Sequence, residues 1–475
     1  MYYKHIIVKY LVAVTVVFTT SCGIPSMVQQ KENKILPASY SNLQDSSNSA
    51  KIAWKDFFTD PYLIALIDTA LKNNQELNIL NEEISIARNE VKARRGAYLP
   101  FVNLGLGAGI DKAGRYTRNG AVDANTDFVP GVKNPEAIQN YIGAADFSWE
   151  IDIWKKLRNA KKSAYHKYLA TEWARKYMVT KLVAEVSNTY YELMALDNQL
   201  EILKSNINIQ KNALEIVKLQ KDAAKVTELA VRKFEAEVLK NLSHQYEIQQ
   251  KIIETENRIN YLVGRYPQPV VRNSATFISL ATDTIRAGLP SQLLENRPDV
   301  RQAEENLIAA KLDIKVAKAN FYPSLNISAN LGYQAFNPKF LVNPSSILYS
   351  LAGDLMGPLI NRNAIRAEYM SANNKQVQAV YQYQQTLLRA YIEVANQVSN
   401  ISNSQKSFDY KNKQVQALTQ SIEISTILFK SARADYMEVL MTQRDALESK
   451  FELIETKQRQ MSARINMYQA LGGGW

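Results

Sequence analysis

Hydrophobic and polar residues alternate in four short segments of the chain. The first runs through V-N-L-G-L-G-A-G-I (residues 102–110) and the second through F-S-W-E-I-D-I (147–153). Two later segments, 325–334 and 347–355, repeat the scheme. Because successive side chains of a strand point to opposite faces, each segment predicts a strand with one apolar and one polar face. The predicted strands cover residues 99–111, 141–154, 322–336 and 346–358.

Two long stretches of the chain carry the spacing of coiled-coil helices. Residues 155–263 and 359–471 contain neither Gly nor Pro, the residues that interrupt helices. In the first stretch, Leu239, Tyr246 and Ile253 form a second apolar stripe beside the main one. Two stripes are typical of a helix with neighbours on both sides, as in a cylindrical wall. In the second stretch the heptad positions are Leu440, Leu447, Ile454, Met461 and Tyr468.

Each stretch is too long for one straight helix and is predicted to fold back once. The matching segments 221–231 and 430–440 are the predicted hairpin tips, with Thr227 and Asp435 as N-caps of the returning helices. At 1.5 Å per residue, a longer arm of ~65 residues would span on the order of 100 Å.

The same order of predicted strands and long helices occurs twice in the chain. The segment V-K-A-R-R-G-A-Y-L-P-F-V-N-L (91–104) matches I-K-V-A-K-A-N-F-Y-P-S-L-N-I (314–327), so that Pro100 aligns with Pro323. The duplication predicts one body built of two similar halves, not a string of unrelated domains. The two repeats are assigned to residues 54–267 and 268–475.

The four predicted strands are suited to a membrane and too few to close a barrel. Their lengths are near the ~10 residues that a tilted strand needs to cross a bilayer, and their polar faces are rich in Gly, Asn, Ser and Asp. An open sheet edge in lipid leaves backbone groups unpaired. Other copies of the chain must therefore supply strands, and the sequence alone does not choose between two copies and three. A soluble sheet packed on helices is the alternative.

The N-terminus has the features of an export leader. Residues 1–21 contain Lys4 and Lys9, then an apolar run, then small polar residues, which predicts a secretory signal peptide. The only cysteine, Cys22, follows directly in T-T-S-C-G. This pattern resembles a bacterial lipobox, with Thr19 where Leu is usual. The resemblance implies a lipid-modified Cys22 carrying N-palmitoyl and S-diacylglycerol groups; an unmodified thiol is the alternative.

After the cysteine, residues 22–53 are rich in Ser, Asn and Gln and are predicted to be an extended tether. Ordered structure is predicted from Trp54. Asp60 and Pro61 predict the start of a helix that continues to about residue 97.

Composition and charge exclude several classes of function. The formal net charge of +11 is spread along helices in mixed-sign patterns, which is typical of solvated faces and argues against nucleic-acid binding. The three histidines, His5, His166 and His244, are scattered, and no hydrolase, metalloprotease or phosphate-loop motif is present. The sequence therefore predicts neither an enzyme nor a metal or cofactor site.

Five motifs resemble those of the TolC-like outer membrane efflux proteins, within the lipoprotein branch that serves tripartite pumps of the resistance-nodulation-division class. The block G-L-P-S-Q-L-L-E-N-R-P-D-V-R-Q-A-E is the most specific. The five motifs are W-K-D-F-F-T-D-P-Y-L (54–63), S-W-E-I-D-I-W (148–154), N-Y-L-V-G-R-Y-P (260–267), the block at 288–304 and A-L-G-G-G-W (470–475).

The resemblance implies a mixed α and transmembrane β fold in a homotrimer. Twelve strands would form an outer-membrane barrel, and twelve helices would continue it as a periplasmic tunnel that narrows at its tip. The chain would be the passive exit duct of an efflux pump for drugs, toxic compounds or metal ions. Its partners would be a periplasmic adaptor, an inner-membrane pump and outer-membrane lipid.

The tips depart from the family pattern. The family usually has Gly where Ala224 and Ala432 stand. Thr227 and Asp435 keep a small polar position, and the tips are the expected adaptor contact. By the same match, the expected constriction residues are Met437, Glu438 and Arg444, and a ring of Glu438 would attract cations. A solvated helix residue is the alternative for Glu438.

Two other functions stay open. A type I secretion duct would have the same fold, although the leader and the G-G-G-W ending are less expected for it. A structural periplasmic lipoprotein would need only the helices, and the alternating strands argue against it. The sequence does not identify the exported substrate.

Overall fold

The computed structural model describes residues 24–27, 30–40, 48–281, 286–358, 362–431 and 433–475. The predicted signal peptide and Cys22 lie outside the described residues, as does Ala432 at the second hairpin tip. The chain forms two compact units, each with segments from both predicted repeats. The first contains the described parts of Met1–Lys31, Ser85–Tyr168 and Glu305–Val380, and the second those of Glu32–Ile84, Leu169–Glu304 and Tyr381–Trp475.

Helices make up most of the described chain. Within the described ranges, none of them has a stretch that is both long and apolar enough to cross a membrane. The four longest form two pairs, α5 with α6 and α9 with α10. The helices are α1 Trp54–Phe57, α2 Pro61–Asn73, α3 Gln75–Tyr98, α4 Arg118–Asn125, α5 Lys156–Asp222, α6 Glu228–Leu262, α7 Leu293–Asn296, α8 Pro298–Ala319, α9 Asn363–Lys430 and α10 Tyr436–Ala470.

The first unit contains a four-stranded antiparallel sheet in the order β1, β4, β5, β6. Two short strands, β2 and β3, form a separate hairpin, and together with α4 they lie between β1 and β4 in the sequence. The connection from β5 to β6 has no such insertion, so the duplication is broken here. The strands are β1 Phe101–Asp111, β2 Asp127–Val129, β3 Val132–Lys133, β4 Ile138–Ile151, β5 Ser324–Ala335 and β6 Ile347–Met356.

The register of this sheet separates its two faces. Residues that lie opposite each other in neighbouring antiparallel strands project from the same face. The apolar positions of all four strands therefore share one face, and the polar positions share the other. One row across the sheet is Val102, Phe147, Ala329 and Leu351, and the next is Asn103, Asp146, Asn330 and Ser350.

Strand β4 ends three residues before residue 154, the predicted end of the strand. The pattern continues through Asp152 and Ile153, but the strand stops at Ile151. The buried carboxylate of Asp152 accepts hydrogen bonds from the backbone N–H groups of Leu157 (3.0 Å) and Arg158 (2.9 Å). Asp152 therefore satisfies the free donors at the start of α5 instead of continuing the strand.

The helix predicted from Asp60 to about residue 97 is wrong as one element. Asp60 does cap α2, because its carboxylate accepts from Tyr62 N–H at 2.9 Å. Helix α2 then ends at Asn73, and the backbone of Asn74 is extended. Asn74 Oδ1 accepts from Leu77 N–H (3.1 Å), and its Nδ2 donates to the Leu262 carbonyl (2.9 Å). This buried amide starts α3 and also binds the end of α6.

In the second half of the chain, Arg297 binds the end of a returning helix as Asn74 does in the first half. This residue lies between α7 and α8, and its Nη1 donates to the carbonyl of Ala470, the last residue of α10, at 3.0 Å. The guanidinium is 3% exposed and pairs with Asp299 and Glu393, each at 2.6 Å. Burial alone would lower the pKa of Arg297, but the two carboxylates raise it, so the group stays charged. The returning helix of each hairpin is thus held at its last carbonyl.

Glycines follow both returning helices. Gly264 and Gly472 have φ of 70° and 88°, and in each case the next residue donates to a carbonyl five positions back. This Schellman turn favours Gly because the left-handed backbone strains other residues. A Cβ at Gly264 would lie 2.4 Å from the Asn73 carbonyl oxygen, and one at Gly472 would lie 2.4 Å from that of Asn296. The glycines let each helix end approach the short helix beside it.

We predict that Arg297→Ala lowers the free energy of unfolding by about 3 kcal/mol, because it leaves two carboxylates and a helix-end carbonyl without their buried partner. Thermal unfolding followed by circular dichroism would measure this. The control is Arg94→Ala, which removes an exposed ion pair with Glu90 (2.7 Å) and should change stability by less than about 0.5 kcal/mol. Equal effects of the two variants would contradict the assignment.

Candidate functional site

The first hairpin tip joins α5 to α6 through a tight turn. Ala224 has φ of 57°, in the left-handed region. Its N–H donates to the Lys221 carbonyl at 2.9 Å, and Lys225 N–H donates to the Gln220 carbonyl at 2.8 Å. This is again a Schellman turn, with Ala in the position that Gly usually fills. Ala224 therefore adopts a strained conformation at the predicted adaptor-contact tip.

The second tip joins α9 to α10. Arg433 N–H donates to the Leu428 carbonyl at 2.9 Å, with the same spacing as in the first tip. Thr227 and Asp435 both occupy N-cap positions with extended backbone, as expected from the sequence. Neither side chain forms a capping hydrogen bond, so both helix starts are left less stabilised than the sequence predicts.

The three expected constriction residues do not share one face of α10. Met437 is half-buried and turned toward the first hairpin, where its Sδ lies 3.6 Å from Lys233 Nζ. Glu438 and Arg444 are both exposed. At 3.6 residues per turn, two residues six positions apart lie about 120° apart around a helix. Glu438 and Arg444 therefore point in different directions.

The residue that shares the face of Glu438 is Asp445, seven positions later. Glu452 follows after seven more positions, so a short acidic stripe runs along α10. This stripe is not among the residues predicted from the sequence, although the seven-residue spacing of Glu438 and Asp445 is the signal that indicates it. The stripe consists of Glu438, Asp445 and Glu452; Asp445 Oδ1 lies 3.6 Å from Arg444 Nη2, and Glu452 pairs with Lys411.

A small apolar cluster joins the two hairpins near their tips. Leu440 of α10 packs into side chains from both helices of the first hairpin, and Tyr436 and Met437 pack against the same cluster. The start of α10 is therefore held laterally by a few apolar contacts. The buried members are Leu214, Val217, Ala230, Val231, Phe234, Val238 and Leu440.

The sheet of the first unit presents a large apolar surface. Leu104, Leu106, Tyr349 and Leu351 are each at least 79% exposed, which is unusual for contiguous apolar side chains of a water-facing sheet. In the described chain, β1 and β6 each pair with one neighbour and leave one edge free. All charged residues of these four strands are acidic and lie on the polar face; they are Asp111, Asp146, Glu150 and Asp354.

Comparison with known proteins identifies the family. A family model described as outer membrane efflux protein matches residues 66–265 and 289–473. The pyoverdine export outer membrane protein OpmQ of Pseudomonas aeruginosa is 26% identical over 423 residues, covering 89% of this chain and 87% of that protein. The toluene efflux pump outer membrane protein TtgI of Pseudomonas putida is 28% identical over 428 residues, with 89% and 87% coverage.

Solved structures share the fold. CusC has a TM-score of 0.81 at 22% identity, covering 94% of this chain and 99% of that chain. The outer membrane protein VceC of Vibrio cholerae has a TM-score of 0.79 at 23% identity, covering 90% and 100%. The open state of the MtrE outer membrane channel of Neisseria gonorrhoeae has a TM-score of 0.81 at 20% identity, covering 95% and 98%.

We predict that Ala224→Gly stabilises the first tip by about 1 kcal/mol, because glycine adopts a left-handed backbone without the Cβ penalty. Hydrogen exchange of the amides around residues 215–235 should slow accordingly. The matched control is Ala223→Gly, one residue earlier and without a positive φ. It should speed exchange instead, and slowing by both substitutions would argue against strain at Ala224.

Proposed function

The chain belongs to the outer membrane efflux protein family, and on that premise we propose that it forms the exit duct of a tripartite pump of the resistance-nodulation-division class. The resemblance to TolC-like proteins is confirmed at the family level, and the relatives are outer membrane efflux proteins. The family is one of transport proteins and not of enzymes. The protein is therefore an outer membrane component of efflux.

The observation that carries the proposal is the four-stranded sheet with an exposed apolar face and two free edges. In lipid, each unpaired backbone group costs several kcal/mol, so neither edge can stay open. Pairing of β6 with β1 of a second copy removes both edges when the copies close a ring. Three copies give a barrel of twelve strands, with the apolar faces toward lipid and the acidic faces toward the lumen.

The helices supply the proposed periplasmic tunnel. Each copy contributes two hairpins, α5 with α6 and α9 with α10, and three copies make a wall of twelve helices. The small cluster at Leu440 is the contact that must loosen when the tip opens, in an iris-like motion driven by adaptor and pump. The duct itself is passive. A ring of Glu438 at the tip, continued by Asp445, would attract cations.

The exported substrate class is small molecules. The names of three relatives refer to pyoverdine, toluene and, in the cation efflux system protein CusC of Escherichia coli, cations, which share little chemistry. A wide acidic lumen selects weakly among them, so selection belongs to the pump that delivers the substrate.

We predict that the purified protein forms ion channels in planar bilayers and that Glu438→Gln lowers their preference for cations, because it removes one carboxylate per copy from the tip. The measurement is the reversal potential in a salt gradient. The matched control is Asp68→Asn, a half-buried carboxylate on α2 that pairs with Lys55 at 3.1 Å and should leave selectivity unchanged.

A preparation that never conducts, as wild type or as Glu438→Gln, would overturn the duct. Conductance with unchanged selectivity in Glu438→Gln would overturn only the assignment of Glu438 to the constriction.

We also propose that Cys22 carries N-palmitoyl and S-diacylglycerol groups, since it follows an export leader and is the only cysteine of the chain. Acyl chains hold a protein to a bilayer with roughly 0.8 kcal/mol per buried CH₂. We expect Cys22→Ala to abolish labelling by radioactive palmitate and weaken anchoring while the circular dichroism spectrum is kept. Wild-type protein without label would end the lipoprotein assignment.

A further inference from the structure

Part of the predicted tether, residues 32–40, packs on helices α8 and α9. Lys34 Nζ lies 2.7 Å from Glu304 Oε1 and 5.8 Å from the ring centroid of Tyr383. Tyr40 stacks on Tyr391 with ring centroids 5.3 Å apart. Residues 32–40, named here the N-terminal strap, therefore contact α8 through Glu304 and α9 through the two tyrosines. The tether prediction rested on polar composition and did not show these contacts.

The other end of the chain is fixed by its last residue. After α10, the turn through Gly472, Gly473 and Gly474 brings Trp475 edge-on against Trp173 of α5, with ring centroids 5.6 Å apart. Lys176 Nζ lies 4.2 Å from the centroid of Trp173 and 4.1 Å from that of Trp475. A cation this close to two aromatic rings is attracted to both faces. The ammonium of Lys176 thus binds the terminal ring to α5.

Arg301 of α8 connects these two attachments. Its Nη1 lies 3.0 Å from Glu304 Oε2, on the carboxylate that also binds Lys34. Its guanidinium carbon lies 5.4 Å from the ring centroid of Trp173, the ring that Lys176 and Trp475 contact. Contacts therefore run without interruption from the strap to the C-terminus. The sequence of contacts is Lys34, Glu304, Arg301, Trp173, Lys176, Trp475.

Residues far apart in the sequence must all be in place for this network to form. The strap, α8, α5 and the C-terminal turn each contribute at least one member. Each contact is a charge pair or a cation on a ring, and both kinds weaken when salt screens them or when one partner leaves. Because the members share partners, the loss of one is expected to change the contacts of the next. Arg301 and Lys176 both contact Trp173 and repel each other as like charges, so their coupling runs through the position of the shared ring.

We propose that Lys34, Trp173, Lys176, Arg301, Glu304 and Trp475 form a terminal latch, which couples the N-terminal strap to the C-terminal turn and holds the C-terminal end of α10 in place. The latch gives α10 a fixed end opposite its tip. Opening of the duct then moves the end of α10 that carries Glu438 and not the end that carries Trp475. This last step rests on the proposed function, whereas the coupling of the two termini does not.

The test is hydrogen exchange with mass spectrometry on the purified full-length protein in detergent. Arg301→Gln removes the connection between the two attachments and is expected to speed exchange about threefold or more in both peptides 30–40 and 466–475. Trp475→Ala should speed exchange in the strap, and Lys34→Met should speed it at the C-terminus, although neither residue belongs to the segment observed.

Two variants keep the test sharp. Arg301→Lys retains the charge near Glu304 but loses the planar group on Trp173, so the C-terminal peptide should loosen more than the strap. Arg94→Gln, an exposed pair on α3, should change neither peptide. Higher salt should speed exchange in both peptides of the wild type.

The latch would be overturned if exchange in peptides 30–40 and 466–475 changed independently of each other. It would also be overturned if Arg301→Gln left exchange in both peptides unchanged. The latch and the duct are tested separately, because the latch is measured by hydrogen exchange and the duct by conductance in planar bilayers. If the protein conducts but the two peptides exchange independently, the proposed duct is supported and the latch is overturned. If the two peptides are coupled but the protein never conducts, the latch is supported and the duct is overturned.

Discussion

The structure depends first on the requirement that backbone hydrogen-bonding groups be paired. In the first unit the four strands pair with one another but leave the outer edges of β1 and β6 open. An edge in water is tolerable, whereas an edge in lipid is not, because no solvent replaces the missing partner. In the proposed duct the exposed apolar face of this sheet contacts lipid, and other copies of the chain pair with its two open edges. The shortage of strands requires further copies of the chain, and the number three comes from the family resemblance.

The same requirement governs the helix ends in the second unit. The last carbonyls of α6 and α10 are bound by Asn74 and Arg297, one polar side chain for each half. Schellman turns at Gly264 and Gly472 satisfy the preceding carbonyls and allow close approach of the neighbouring short helices. By contrast, the hairpin tips have unassisted N-caps and a left-handed Ala224. The C-terminal ends of α6 and α10 are therefore stabilised by more hydrogen bonds than the hairpin tips at their N-terminal ends.

The sheet and α10 are the two proposed lumen surfaces, and a different sequence pattern places the acidic side chains on each. On the sheet, every charged side chain is a carboxylate on the polar face, which alternation alone assigns. On α10, the acidic stripe is a matter of helical phase, and Arg444 leaves it because six residues correspond to about 120° of rotation. The assignment of Met437, Glu438 and Arg444 to the constriction stays a prediction, and Glu438 and Arg444 lie on different faces of α10.

The sequence by itself determined the strands, the long hairpins, the duplication and the family, because periods of two and seven and the placement of Gly and Pro are local properties of the chain. It could not show the break at Asn74, the buried role of Arg297, the capping by Asp152 that shortens β4 or the contacts between the two termini. Each of these depends on a partner far away in the sequence. Only the tertiary structure brings such partners together, because the free energy of a buried hydrogen bond or ion pair is set by the second group and not by the first.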